Sequence, residues 1–367
     1  MPVENPPLQN HAGNLTRGYD NNRKIDSLLS MKRKRSLLLI PLVVGAVLVA
    51  PQAAHADDAS YRTLSTASNP DWMRSLPDSR SLSALSIPGT HETLSILGGS
   101  LTQTQENFGE SAATLTAQLT AGIRMIDVRA RVNSGNTFTI HHGATYQNAN
   151  FDDVLTKLSS FLSAHPGETV VLRFKQECTG EIGSCTDASG QNGFTDIFDG
   201  YTARYLGLFW APSVSRTAKA SVPTLGAVRG KVVLAAMHGP RGGNFAGYGL
   251  SQFSGWNDGS STYVQDNYTV SSVGAIATKR DQVRRFLDVT SAADPSLMYV
   301  NFASGSSLFA QPYQVAGGSL GVQGVNPFLL IYLNEGPEVH TPVVRTGVIV
   351  LDFPGGGLID KIISHNI

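Results

Sequence analysis

The 367-residue chain is short of several things, and each shortage narrows what it does. It has no net charge, with 28 Lys and Arg against 28 Asp and Glu. That balance argues against a nucleic-acid partner, which needs a basic footprint, and against a polybasic grip on anionic membranes. Cysteine is almost absent: Cys178 and Cys185 stand alone in a Gly-, Thr- and Ser-rich stretch. In an exported protein that spacing suggests one disulfide closing a short loop, with two free thiols as the alternative. No neighbouring Cys or His in the sequence completes a tetrahedral metal set. The one marked apolar run, 37–50, is too short and too soon followed by Pro51 to be a convincing membrane span. There is no repeat of fixed period and no Gly-rich dinucleotide fingerprint.

What is present begins with an N-terminal address. Residues 1–30 are polar and patternless; then Met31-Lys32-Arg33-Lys34-Arg35 precedes the apolar run, and Ala54-His55-Ala56 follows it. A basic region, a short apolar core and an A-x-A site read as a secretory signal peptide. The expected division is therefore an N-terminal extension and signal over 1–56, with the signal at about 31–56, and a catalytic body over 57–367. Translation from Met31 and a mature start near Asp57 fit this reading. An N-terminal anchor with a cytoplasmic tail is the alternative.

Short apolar, β-branched runs recur through the mature chain, at 82–87, 122–128, 137–141, 169–174, 231–236, 297–302, 328–333 and 347–351. Their continuity suits strands buried on both faces of a parallel sheet. A helix is predicted after Asn150, with Phe151, Val154, Leu155, Leu158, Phe161 and Leu162 on one face, Asn150 as N-cap and Pro166-Gly167 as the stop. A second is predicted over 273–287, basic in its last turn. Strand-helix alternation at this length favours an α/β fold, a single irregular, distorted TIM-type β/α barrel.

His91, Arg129, His142, Lys175, His238 and Asp352 all fall at or just past the C-terminal end of an apolar run, where a barrel gathers its chemistry. Two imidazoles flanking one guanidinium suit phosphodiester cleavage: one accepts a proton, the other gives one, and the planar fork holds phosphoryl oxygens. His141 and His142 point to opposite sides of a strand, so one of them at most is catalytic. Asp127 and Arg129 share a strand face and are expected to pair, because a buried guanidinium needs a partner.

The blocks Ser86-Ile87-Pro88-Gly89-Thr90-His91, Ile126-Asp127-Val128-Arg129-Ala130-Arg131 and Ile140-His141-His142-Gly143 resemble the bacterial phosphatidylinositol-specific phospholipases C, with their X-domain-like core. The likeness continues through His165-Pro166-Gly167-Glu168-Thr169-Val170-Val171 to Lys175, then Arg229-Gly230-Lys231-Val232-Val233-Leu234 and Val264-Gln265-Asp266-Asn267-Tyr268. It ends with Tyr299-Val300-Asn301-Phe302 and Arg345-Thr346-Gly347-Val348-Ile349-Val350-Leu351-Asp352-Phe353. The blocks follow the family's order and span nearly all of the mature chain.

The resemblance implies an enzyme that cleaves phosphatidylinositol to diacylglycerol and a cyclic inositol phosphate. By that mapping His91 is the general base, Asp352 orients it, His142 is the general acid, and Arg129 binds the phosphoryl oxygen. Lys175, Asp266 and Tyr268 match head-group positions, with Asp127 among the supporting residues. Glu92 stands where many members have aspartate supporting the acid histidine. Met237 stands where the family carries an inositol-binding arginine, so His238 or Arg241 becomes a candidate to reach the ring. Arg129 takes the place that calcium fills in metal-dependent relatives, so no metal and no cofactor is expected.

The expected partner is phosphatidylinositol, or a glycosyl-phosphatidylinositol-type lipid, met at a membrane surface by peripheral contact alone, with the protein secreted and monomeric. Phe309 and Tyr313, joined by Ile96 and Leu97, are candidate rim residues for that contact. The Gly-rich stretch 239–258, with Phe245, Tyr248, Phe253 and Trp256, is a candidate mobile lid or rim. The rival readings are an inositide-binding protein with little or no catalysis and a metal-dependent barrel phosphodiesterase.

Overall fold

The computed structural model describes residues 57–99, 102, 111–178, 185–217, 220–336 and 338–367. The extension and the signal-like segment over 1–56 lie outside the described residues. In chain order the elements are β1 (Ile87–Thr90), α1 (Ser111–Ala121), β2 (Met125–Asn133), β3 (Thr137–His142), β4 (Thr145–Asn150), α2 (Phe151–Ala164), β5 (Val170–Gln176), α3 (Phe194–Arg204), α4 (Leu225–Val228), β6 (Val232–His238) and β7 (Val264–Gln265). They continue with α5 (Ile276–Ala292), β8 (Val300–Phe302), α6 (Pro312–Gly317), β9 (Gly318–Ser319), β10 (Val322–Gln323), α7 (Val325–Asn334), β11 (Val348–Leu351) and α8 (Gly356–Ser364).

Among the described residues seven strands run parallel in the order β6, β5, β2, β1, β11, β8, β7. Strands β6 and β7 do not pair, so the ring is an open, distorted barrel, which is the architecture expected from the sequence. The joint between β6 and β7 is packed by side chains: Phe253 and Trp256 sit in the same core as Val264, Val300 and Phe302. The strands of the ring are buried over most of their length, with Arg131, Asn133 and Lys175 half-buried toward the mouth, which is why these segments read as apolar runs.

The expected strand at 328–333 is instead part of α7. A short continuous apolar run does not by its periodicity separate a buried strand from a buried helix. Here Pro327 in the first turn starts a helix, and Leu329 and Leu333 pack it into the core between α5 and α8. The run at 82–87 also divides differently: Leu82–Ala84 is a single 3-10 turn, and the strand is Ile87–Thr90. Pro88 and Gly89, which look like a turn, lie in that strand. A Cβ at Gly89 would stand 2.7 Å from Cβ of Met125, so the glycine is what allows β1 to pair with β2.

Helix α2 begins as expected, with a reciprocal capping box in which Asn150 Oδ1 accepts from Asp153 N and Asp153 Oδ2 accepts from Asn150 N, both at 2.9 Å. Helix α5 runs on to Ala292, five residues past the expected end, so its basic residues occupy its first half and middle rather than its last turn. Strand β2 outruns its parallel neighbours and pairs antiparallel with β3, which turns into β4. This hairpin stands on the rim of the barrel.

The floor of the barrel is held by a fully buried ion pair. Arg124, in the turn before β2, meets Glu168 before β5 at 2.8 Å, and its guanidinium also donates to the carbonyls of Leu119, Ile123, Asn69 and Pro70. Glu168 accepts in addition from the Met73 N–H at 3.0 Å. Because every donor of the cation is used, removing the anion leaves a buried charge uncompensated. Glu168→Ala is expected to lower unfolding free energy by about 3–5 kcal/mol in chemical denaturation, and a loss under about 1 kcal/mol would contradict this role.

Candidate active site

The register of two neighbouring strands assembles the centre. Thr90 of β1 lies opposite Leu351 of β11, so the residues that follow, His91 and Asp352, emerge side by side at the barrel mouth. His91 Nδ1 is 3.2 Å from Asp352 Oδ1, with both side chains buried. The chain then bends sharply at each strand end: Glu92 and Phe353 both adopt positive φ, +42° and +47°. Such left-handed backbone is uncommon for residues other than glycine and concentrates at functional sites. At Glu92 the bend returns the carboxylate to the centre.

Arg129 comes from β2, two residues after Asp127 on the same face. Its Nε donates to Asp127 Oδ1 and its Nη2 to Asp127 Oδ2, each at 3.0 Å. Its Nη1 lies 3.3 Å from Glu92 and 3.4 Å from Glu177. Nη2 also reaches to 3.3 Å from His91 Nε2. A guanidinium has donors only, so the His91 nitrogen facing it must be the acceptor, which leaves the imidazole proton on Nδ1 toward Asp352. Arg129 and Asp352 between them select the tautomer with a bare Nε2.

The electrostatics agree. Burial, and then the charge of Arg129, hold His91 well below its ordinary value, so the imidazole is neutral at physiological pH. Burial, with Glu92 nearby, pushes Asp352 up, and the Lys279 charge opposes that. Burial would weaken the Arg129 charge, but Asp127, Glu92 and Glu177 raise it well above the usual arginine value. Burial would raise Asp127, yet Arg129 and Arg173 hold it low.

His142, at the end of β3, lies 3.3 Å from Glu92 through Nε2. Glu92 therefore bridges the two candidate proton-transfer groups by way of Arg129. His141 points the other way, against Tyr146, as strand alternation requires. A break in the β3–β4 pairing between Thr139 and His141 sets the hairpin's aim.

The cleft itself encloses about 280 Å³ and is lined by His91, Glu92, Arg129, Lys175, Glu177, Asp258, Gly259, Asp266 and Tyr268. His142 lies outside this lining, joined to it through Glu92. Lys175 Nζ is 2.5 Å from Asp258 Oδ2. The Tyr268 ring stands 5.5 Å from the His91 ring, and the Tyr268 hydroxyl accepts from Ser306 Oγ at 3.0 Å. Asp266 belongs to the same wall, with its carboxyl raised by burial. His91, Glu92, Asp127, Arg129, His142, Lys175, Asp266, Tyr268 and Asp352 thus fall in one constellation.

Three members were not anticipated. Arg173 is fully buried beneath the cleft, where it binds Asp127 at 3.2 Å, Asp258, and His238 Nδ1 at 3.3 Å. Glu177 joins Arg129 and accepts from the Gly143 N–H at 3.0 Å. Both follow from period two: residues 173, 175 and 177 share one face of β5 and its extension. Asp258 carries no such signal, since it reaches the site from the Gly-rich segment.

Several expectations are corrected. Met237 is buried against Phe174 and its neighbours in the outer core, because the β5–β6 register shifts between Leu172 and Arg173. His238 does not reach the cleft either: burial and Arg173 lower it to about 3, and its Nε2 is held by the Trp256 carbonyl at 2.7 Å. The Arg241 side chain lies outside the described residues. The 239–258 stretch divides: Tyr248, Phe253 and Trp256 are buried and Phe245 packs on the core, while its last residue, Asp258, stands at the cleft as a rim residue. Ile96 is buried, its N–H and that of Leu97 donating to Gln147, and Tyr313 packs beside Tyr61 and Phe353.

Cys178 and Cys185 form a disulfide. His141 brings a ring nitrogen near their sulfurs, a neighbour invisible in the sequence, but thiols joined in a disulfide offer no thiolate ligand.

Residues 85–237 match the family model described as phosphatidylinositol-specific phospholipase C, X domain. The chain is 33% identical over 304 residues to a 1-phosphatidylinositol phosphodiesterase of Listeria monocytogenes, covering 80% of this chain and 84% of that one. It is 26% identical over 352 residues to a protein of the same name from Staphylococcus aureus, covering 89% and 94%. The solved structure of phosphatidylinositol-specific phospholipase C from Listeria monocytogenes superposes with a TM-score of 0.60 at 28% identity, covering 82% of this chain and 99% of that one.

The tuning of His91 is testable by histidine NMR. Arg129 is the second influence lowering His91, after burial, so Arg129→Gln is expected to move the His91 titration up toward the ordinary histidine value. A His91 that titrates at or above that value in the unaltered protein, or that is unmoved by the substitution, would contradict the assignment.

Proposed function

The chain belongs to the bacterial phosphatidylinositol-specific phospholipase C family, and from that premise we propose that it cleaves phosphatidylinositol by general acid-base catalysis carried by its own side chains. The observation that carries this reading is His91, with Asp352 at 3.2 Å on one ring nitrogen and Arg129 at 3.3 Å on the other. That pairing is the equipment of a neutral base aimed at an anionic phosphodiester.

His91 Nε2 takes the proton of the inositol 2-hydroxyl, and the oxygen attacks the adjacent phosphorus. The bond from phosphorus to the diacylglycerol oxygen breaks, and His142 gives that oxygen a proton. The products are a cyclic inositol phosphate and diacylglycerol. A neighbouring hydroxyl is already in place, so the step is effectively intramolecular. Asp352 orients the ring, and the charge of the imidazolium that forms opposes the burial that pushes this carboxyl up, so the pair is stabilised together as the third member of a base-orienting set requires. Arg129 donates to the phosphoryl oxygen as charge builds there.

The same guanidinium supports catalysis without a metal. Glu92, Asp127 and Glu177 are already turned onto Arg129, and a divalent ion placed among them would face its full charge. Lys175, Asp258 and Asp266 supply donors and acceptors for ring hydroxyls, and Tyr268 offers an aromatic face. Asp258 and Arg173 bring to this wall the polar contacts for which Met237 is unsuited.

Contact with the lipid surface falls to Leu308 and Phe309, neighbours that are 83% and 72% exposed. Exposed large apolar side chains side by side suit insertion among lipid headgroups. Export by the 31–56 segment completes the reading, and an exported protein retaining Met1 would contradict it.

Phosphorus NMR of the protein with phosphatidylinositol micelles and a chelator is expected to show a cyclic inositol phosphate. His91→Ala should cost about a hundredfold or more. Turnover only on adding a divalent cation would overturn the metal-free step, and none under any condition would overturn the activity. The pair Leu308→Ser and Phe309→Ser is expected to weaken vesicle binding while sparing hydrolysis of a monomeric substrate, and unchanged binding would remove these residues from the rim.

A further inference from the structure

Helix α5 carries a lysine where its buried side otherwise holds Ile276, Val283, Leu287 and Thr290. Lys279 is 1% exposed. Taking an ammonium out of water is expensive, and a methionine would fill similar space without that cost. Among the described residues its Nζ donates to neutral oxygens, Gln265 Oε1 at 3.3 Å and the Asn267 carbonyl at 3.0 Å.

Those oxygens frame the segment that carries Asp266 and Tyr268 into the cleft. Gln265 is locked in turn: its Nε2 donates to Asn301 Oδ1 at 2.8 Å and to the Phe302 carbonyl at 2.9 Å, and its Oε1 accepts from the Asn267 N–H at 2.8 Å. Asn301 Nδ2 closes the circuit on the Val283 carbonyl of α5 at 2.8 Å. A buried polar chain thus runs from α5 through the ends of β7 and β8, and the lysine grips the carbonyl lying between the two head-group candidates. The charged groups that face it are Asp266 and Asp352.

We infer that Lys279 is a positioning residue for head-group recognition, its buried ammonium fixing the 266–268 segment in the geometry that receives the inositol ring. This rests on the head-group role proposed above for Asp266 and Tyr268. A cation suits the task in two ways. Charge-assisted bonds to carbonyl-type oxygens are stronger than neutral ones. The positive field also opposes the burial that pushes the Asp266 carboxyl up, favouring the ionised form that accepts from ring hydroxyls.

Burial also lowers Lys279 itself, to about 8, with the two aspartates opposing. The ammonium is therefore charged below that pH and neutral above it, so recognition should weaken as pH rises through about 8.

The test is Lys279→Met, read by KM and kcat on phosphatidylinositol and by calorimetric binding of free myo-inositol. KM and the inositol dissociation constant are expected to rise about tenfold, the scale of a lost charge-assisted hydrogen bond, with a smaller change in kcat. In the unaltered protein KM should climb across about pH 8, and in the variant that climb should vanish. A variant matching the parent in KM, inositol affinity and pH profile would overturn the inference, as would a loss confined to kcat. Should that variant not fold, Lys279→Gln, which keeps an N–H for the Asn267 carbonyl but carries no charge, takes its place, and unchanged KM and inositol affinity in it overturn the inference. A parent that cleaves no phosphatidylinositol and binds no inositol would instead overturn the underlying head-group reading, and this inference with it.

Discussion

A buried guanidinium is the constraint around which this barrel mouth is organised. Arg129 stays charged although buried because Asp127 takes it with two parallel bonds and Glu92 and Glu177 close in from the other side. Those carboxylates are in turn held by other groups: Arg173 on Asp127, His142 on Glu92, and the Gly143 N–H on Glu177. Each polar group is satisfied by the next, as a buried network requires if it is to fix one geometry. The chemical consequence falls on His91. Facing a donor that never gives up its charge, the ring keeps a lone pair outward and its proton toward Asp352.

The strands make that arrangement inexpensive to maintain. Parallel register between β1 and β11 delivers His91 and Asp352 as adjacent residues, and the glycine in β1 lets β2 approach closely enough to bring Arg129 beside them. The hairpin that extends β2 and β3 past the ring carries His142 to the rim from a strand that is not part of the barrel. Below the strands, the Arg124–Glu168 pair ties the turns before β2 and β5 together. Positioning is therefore done by backbone pairing, which also sets Lys175 on β5, while Asp258, Asp266 and Tyr268 complete the cleft wall from loops.

Much of this was legible in the sequence for a physical reason. Residues on one strand face repeat every second position, so Asp127 with Arg129 and the opposed aim of His141 and His142 follow from spacing alone. The same rule, carried along β5, finds Arg173 and Glu177 around Lys175. What spacing does not supply is register. The shift between β5 and β6 turns Met237 outward and draws His238 under Trp256, and nothing in the local sequence announces it. Asp258 was hidden for a related reason: it arrives on a segment whose path is set by where Phe253 and Trp256 are buried. The 328–333 run of helix α7 reads as a strand because it is apolar on all sides, and a buried helix and a buried strand look alike at that length. Lys279 was invisible because a lysine in a helix otherwise reads as a solvated face.

The central claim is that Arg129 and Asp352 hold His91 in one neutral tautomer, ready to accept a proton. Nitrogen NMR of the labelled protein at neutral pH measures this directly. The account predicts His91 with a protonated, pyrrole-like Nδ1 and a bare, pyridine-like Nε2. A proton on Nε2, or a doubly protonated ring in the resting protein, would contradict it.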